Sequence, residues 1–230
     1  LHAAIRHTLG SNGLADAYVR VVVPRGIGNL GLNPYECGRP QVIIITDSIA
    51  LYPAEYYEKG LEIVTVSTIR MPANALNPSI KSLNYLNNIL AKMECIRAGA
   101  HEALMLNRDG FVAECSGDNV FMVKDARLIT PPVHAGILVG ITRQVVIERA
   151  GSAGMEVSEK DITTSDLYVA DECFLTGTGA ELGPVVELDG RKIGTGQPGP
   201  VTLRILAAFR ELAAREGTPV YAASGAPAGE

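Results

Sequence analysis

The strongest constraint on the fold is a set of turn signals between short apolar runs. Asp109-Gly110 separates residues 102–106 from 112–114, and Asp189-Gly190 separates 185–188 from Lys192-Ile193. Asp-Gly readily takes the left-handed backbone of a tight hairpin, so each pair predicts two antiparallel strands. Lys124-Asp125 joins 119–123 to 127–130 in the same manner. A chain folded hairpin by hairpin lacks the regular strand–helix–strand alternation of a doubly wound sheet. The expected class is a mixed α/β (α+β) fold with several hairpins and few helices.

Around these hairpins, apolar spacing predicts the rest. Residues 1–10 read as a helix already under way, with Leu1, Ile5 and Leu9 four apart and no cap ahead of them. The expectation is that a front segment is not represented in this chain. Residues 17–23 form a β-branched strand with Tyr18, Arg20 and Val22 on one face. Residues 41–46 read as a buried strand and 61–69 as another. Between them, 24–40 is a Gly- and Pro-rich loop with no helix pattern behind it, which argues against a phosphate cradle. Residues 72–78 are a loop that delivers Lys81. The helix 85–98 carries Leu86, Ile89, Leu90, Met93 and Ile96 as its apolar face and stops at Gly99. Gly140-Ile141-Thr142 opens a helix that runs to 150. Strand 172–175 leads into a turn at 176–180. Residues 199–215 form an amphipathic helix with Leu203, Ile205, Leu206, Phe209 and Leu212 apolar, and 217–230 read as a frayed tail. The expected domains are 1–46, the remainder of a small N-terminal domain; 47–56, a linker; and 57–230, a large C-terminal domain.

Composition narrows the function. A net charge of −5 without a basic run argues against nucleic acid. No apolar run is long enough to span a membrane, and no signal-peptide pattern is visible. The four cysteines form no close pair, so neither a disulfide framework nor a metal site is expected. Reduced thiols fit a cytoplasmic protein.

Several side chains carry two readings each. Lys81 sits in mostly uncharged surroundings, with Arg70 and Lys92 as the nearest charges. It is either a helix-start lysine with its ammonium in water or a desolvated amine, nucleophilic toward carbonyls. Arg20, among valines, either reaches solvent from an edge strand or clamps a carboxylate with two parallel hydrogen bonds. Glu114 is a strand-end glutamate in water or a functional carboxylate, and the uncharged Cys115, Ser116 and Gly117 behind it favour the second. Thr142 is a helix cap or part of an anion site at a helix start.

The motifs Lys81-Ser82-Leu83-Asn84-Tyr85-Leu86, Glu114-Cys115-Ser116-Gly117-Asp118-Asn119-Val120-Phe121, Gly140-Ile141-Thr142-Arg143 and Thr176-Gly177-Thr178-Gly179-Ala180-Glu181 stand in a telling order and spacing. Together they resemble the class IV pyridoxal-phosphate aminotransferases, and most of all the branched-chain amino acid aminotransferases, from the first residues to about Thr202. The resemblance implies a fold type IV enzyme of two domains, the small one incomplete here, with pyridoxal 5'-phosphate as cofactor. It implies Lys81 as the Schiff-base lysine and general base, its amine made less basic by burial and the cofactor's cation. Tyr85 would bond the cofactor's ring oxygen, Glu114 its pyridine nitrogen, and Leu138 would pack on the ring. Gly140, Ile141, Thr142 and Thr178 would hold the phosphate. The N–H groups of Gly179 and Ala180 would receive the substrate carboxylate, with Thr178 beside them, and Tyr18 and Arg20 would line the substrate side.

The implied reaction moves the amino group of leucine, isoleucine or valine to 2-oxoglutarate, giving a branched 2-oxo acid and glutamate. The alternatives on the same scaffold are a D-amino-acid or amine transaminase and aminodeoxychorismate lyase. A truncated, non-catalytic remnant is the alternative from another class. The family also uses an arginine on the phosphate, and part of a hydrophobic pocket, from the region before Leu1. Its members build the site at a subunit interface, which implies a homodimer or larger homo-oligomer, with 24–40 reaching over an active site.

Overall fold

A computed structural model describes residues 1–48 and 52–221. They belong to two compact units: the described residues of Leu1–Ala50 with Glu216–Glu230, and those of Leu51–Arg215. The centre of the expected linker, 49–51, and the end of the expected tail, 222–230, lie outside the described residues.

In the first unit, helix α1 (His2–Ser11) lies against an antiparallel pair, β1 (Tyr18–Val22) and β2 (Ile43–Asp47), in which Arg20 faces Ile45. The expectation of a buried β2 is corrected: Ile43 and Ile45 are 46% and 49% exposed, while Ile44 and Thr46 are half-buried. Among the described residues of this unit one helix covers one face of a two-stranded sheet, and alternation leaves the other side chains outside. The expected tail is not frayed throughout, because Tyr221 donates its hydroxyl to Leu14 O at 2.8 Å.

The second unit is built on a nine-stranded sheet. Its strands are β3 (Leu61–Thr65), β4 (Glu102–Leu106), β5 (Val112–Cys115), β6 (Asn119–Lys124), β7 (Arg127–Thr130), β8 (Val157–Glu159), β9 (Glu172–Gly177), β10 (Glu181–Leu188) and β11 (Arg191–Lys192). They run in the order β5-β4-β3-β10-β9-β6-β7-β8, with β11 on β10. The predicted hairpins β4–β5, β6–β7 and β10–β11 all form, and β9–β10 makes a further one. At the first turn Gly110 takes φ +84, and at the second Asp125 and Ala126 take φ +50 and +60, which closes a tight hairpin. The parallel pairs β3–β4, β3–β10 and β7–β8 join these hairpins into one sheet. Leu61, Leu104, Phe121, Leu128, Phe174 and Leu175 are fully buried in it, and the Phe121 and Phe174 rings stack 5.1 Å apart across β6 and β9.

The helices of this unit are α2 (Ala54–Lys59), α3 (Leu86–Ala98), α4 (Ile141–Ser152), α5 (Thr164–Tyr168) and α6 (Pro200–Arg215). Helix α3 ends as predicted on a left-handed Gly99, but its orientation corrects the sequence reading. Asn88, Ala91 and Cys95 face the sheet, whereas Leu86, Ile89, Leu90, Met93 and Ile96 are exposed. Small side chains permit close packing there, and Asn88 is satisfied on both ends by Arg70 and by Ser116 O. On α6, Ile205, Leu206 and Leu212 are buried as expected, while Leu203 is exposed. None of the described helices is long and apolar enough to cross a membrane.

Candidate active site

A cleft in the second unit is lined by Lys81, Tyr85, Glu114, Leu138 and, among others, Arg70, Asp118 and Asn119. Its parts come from different levels of the fold. Lys81 lies in the loop ahead of α3, Tyr85 is the residue that begins that helix, and Glu114 is carried on β5. Lys81 Nζ donates to Tyr85 Oη at 3.1 Å. The expectation of a buried amine is corrected, because the Lys81 side chain is exposed at the cleft.

Glu114 is 4% exposed and accepts from three donors. One oxygen lies 2.6 Å from Arg70 Nη2. The other accepts from Leu138 N at 2.9 Å and from Asn119 Nδ2 at 3.0 Å. Burial pushes its carboxyl up to about 7, although Arg70 and the Leu138 N–H pull the other way. Arg70 is fixed in turn by Gly136 O and Asn88 Oδ1. Sequence reasoning missed this arginine as a partner of Glu114. Its signal was present: it is the nearest charge before Lys81 in a long uncharged run.

A second buried acid, Asp118, accepts from Tyr52 Oη at 3.0 Å, and the same hydroxyl is 3.4 Å from Glu102 Oε2. Burial first, and the Glu102 charge second, raise the Asp118 carboxyl to about 6. Glu102 is stabilised by Lys92 Nζ at 3.0 Å and by the Ser116 hydroxyl at 2.5 Å.

The other expected residues do not line this cleft. Gly140 begins α4, whose first turn has no side-chain cap, so the early N–H groups of Ile141 and Thr142 are available to an anion. Thr142 is buried and Ile141 exposed. A Cβ on Gly140 would overlap Asn119 Oδ1, so the helix start abuts the residue that holds Glu114. Thr178, Gly179 and Ala180 form the loop between β9 and β10, and a Cβ on Gly177 would overlap the Asp118 carboxylate. Both elements touch cleft residues through a glycine. Tyr18 and Arg20 belong to the first unit, where Tyr18 is half-buried and Arg20 exposed.

The arrangement suits pyridoxal phosphate. It offers an amine beside a phenol, a buried carboxylate whose charge lacks full compensation, and an uncapped helix start for a phosphate. A cationic ring nitrogen would favour the charged form of Glu114.

Comparison with known proteins gives the same direction. Residues 1–188 match the family described as amino-transferase class IV. The chain is 48% identical to a putative branched-chain-amino-acid aminotransferase of Methanocaldococcus jannaschii, over 94% of this chain and 74% of that protein. It is similar to the solved branched-chain amino acid aminotransferase of Escherichia coli, with a TM-score of 0.88 and 38% identity over 91% of this chain and 69% of that one. It is also similar to the branched-chain amino acid aminotransferase of Thermobaculum terrenum, solved in its PLP form, with a TM-score of 0.86 and 31% identity over 96% of this chain and 74% of that one.

Proposed function

The chain belongs to the class IV aminotransferases, and on that premise we propose that it is a branched-chain amino acid aminotransferase. It uses pyridoxal 5'-phosphate to move the amino group of leucine, isoleucine or valine to 2-oxoglutarate. The observation that carries the reading is the cleft in which Lys81 and Tyr85 share a hydrogen bond with a buried, directed Glu114 beside them. The relatives named above supply the substrate class.

Pyridoxal phosphate, when bound, supplies a reactive aldehyde and a ring that accepts electrons from the substrate α-carbon. The chain's residues do the rest. The Lys81 amine would hold the cofactor and, once free, would be the base that takes the proton from the substrate α-carbon. Tyr85 accepts a hydrogen bond from Lys81 and donates its own hydrogen to the ring oxygen. Glu114 would pair with the ring nitrogen and keep it protonated, while Arg70, Asn119 and the Leu138 N–H keep Glu114 in place. Leu138 would pack on the ring. Gly140, Ile141, Thr142 and Thr178 would hold the phosphate, and the N–H groups of Gly179 and Ala180 would receive the substrate carboxylate. The family resemblance assigns Tyr18 and Arg20 to the substrate side. In this reading Leu51–Arg215 corresponds to the large domain and Leu1–Ala50 to the small one, with Glu216–Glu230 grouped with the small domain and not, as expected, with the large.

The active form is a homodimer or larger homo-oligomer, a reading supported by the apolar stripe on α3. The cytoplasm is its compartment, supported by four free cysteines, three of them buried. Borohydride treatment of the intact protein with pyridoxal phosphate, followed by peptide mapping, tests the core of this reading. The expected result is one reduced adduct on Lys81. A scatter of adducts over other lysines would sink the assignment, and a panel of amino donors would separate branched-chain substrates from D-amino acids and amines.

A further inference from the structure

The loop between β9 and β10 has a strained exit that other elements hold in place. Gly177 and Glu181 pair, so Thr178, Gly179 and Ala180 make a three-residue hairpin loop. Such loops need a left-handed residue at their end, a position that normally falls to glycine or asparagine. Here the left-handed residue is just outside the loop: Glu181, which pairs with Gly177 and opens β10, is at φ +52. A non-glycine residue persists there only when its surroundings determine the conformation.

The surroundings are specific. Tyr57, on α2, donates its hydroxyl to Ala180 O at 2.9 Å. Ala180 is fully buried. Arg210, on α6, pairs with the Glu181 carboxylate at 2.7 Å and lays its guanidinium 5.2 Å from the Tyr57 ring centre. The exposed ion pair alone contributes little. The half-buried tyrosine hydroxyl is the stronger element, and burial pushes its phenol up, so it remains a donor.

We propose that Tyr57, backed by Arg210 and Glu181, is a positioning residue that sets the 178–180 loop for the α-carboxylate common to every substrate. The proposal rests on the aminotransferase reading, in which that loop receives the carboxylate. It assigns a role to α2 and α6, two elements that do not line the cleft. Because the α-carboxylate is held alike before and during reaction, loss of the hydroxyl weakens binding without changing the bound reaction.

The test is steady-state kinetics of the intact protein loaded with pyridoxal phosphate. Tyr57→Phe keeps the ring beneath Arg210 and removes only the hydroxyl. One neutral hydrogen bond corresponds to roughly a fivefold rise in KM, expected alike for a branched-chain donor and for glutamate. The kcat, the absorbance of the bound cofactor and the Tm stay near wild type. Adding Glu181→Gly to Tyr57→Phe restores part of the lost affinity, because glycine takes the left-handed conformation unaided. An unchanged KM in an active variant overturns the proposal, as does a rise confined to one substrate. So does a fall in kcat that follows loss of cofactor or of Tm, which would mark a structural prop. A wild-type protein that neither binds pyridoxal phosphate nor turns over overturns the aminotransferase reading, and this proposal with it.

Discussion

Asp118 illustrates how a single side chain can tie the stability of the protein to pH. Its carboxyl is 8% exposed, and burial with the Glu102 charge raises it to about 6 from 3.8. A carboxyl raised on folding binds its proton more tightly in the native state. Its contribution is therefore complete below pH 4 and is lost as pH rises through 6. Asp118→Asn keeps an acceptor for the Tyr52 hydroxyl and removes the charge. The cofactor-free variant and wild type should match in urea unfolding near pH 4. At pH 7.5 the variant should be more stable by roughly 2 kcal/mol, an order-of-magnitude figure from the size of the shift. Parallel stability curves over that range would show that Asp118 does not titrate in the window. Glu114 is shifted in the same direction, to about 7, because Arg70 offsets only part of its burial, and replacing either member of that pair would strand the other in a buried site.

At the scale of elements, the start of α4 is the junction on which the site depends. Gly140 has φ −70, which any residue adopts, so the need for glycine there is steric: a Cβ would overlap Asn119 Oδ1. Gly140→Ala should displace Asn119 from Glu114 and shift the helix start, lowering pyridoxal phosphate affinity by about tenfold, in line with the ~1–3 kcal/mol of overpacking. Gly151→Ala, on the same helix with open space at its Cβ, should leave affinity unchanged. Fluorescence titration with the cofactor compares the two, and equal affinities would remove Asn119 from the argument. The same element shows what the sequence could and could not reveal. The hairpins were legible because Asp-Gly turns act locally, and helices α1, α3, α4 and α6 because apolar spacing and bounding glycines are local as well; α2 and α5, of six and five residues, are too short to show such spacing. The Arg70–Glu114 pair was not, because 44 residues separate its members (114 − 70) and only the sheet brings them together. The facing of α3 was misread for a related reason. Periodicity finds an apolar stripe but does not say whether the stripe meets its own sheet or something else.

At the scale of the whole molecule, that stripe determines what the protein must do with its surface. Leu86, Ile89, Leu90, Met93 and Ile96 are 42–68% exposed, and Ile80 and Leu83, just ahead of them, are 63% and 70% exposed. Two of the helix's charges are drawn off the stripe, Lys92 to Glu102 and Glu94 to the Ser67 and Thr68 N–H groups, while Arg97 is exposed at its C-terminal end. A largely apolar exposed face of this kind is a candidate interaction surface. A helix presenting the same face on each of two identical chains can pair with its own copy about a two-fold axis. Pairing there would also bear on chemistry, since the stripe starts one residue after Tyr85 and includes both neighbours of the 81–82 step. Ile89→Glu combined with Ile96→Glu should reduce the mass seen by light scattering to that of one chain. It should also weaken cofactor binding through the loosened 80–85 segment, while the far-ultraviolet circular dichroism stays that of a folded protein. A double variant that keeps the wild-type mass would place the contact between copies elsewhere, and one that unfolds would mean the stripe supports the chain itself. Leu203→Glu, an exposed leucine on α6, is the matched control and should leave the mass unchanged.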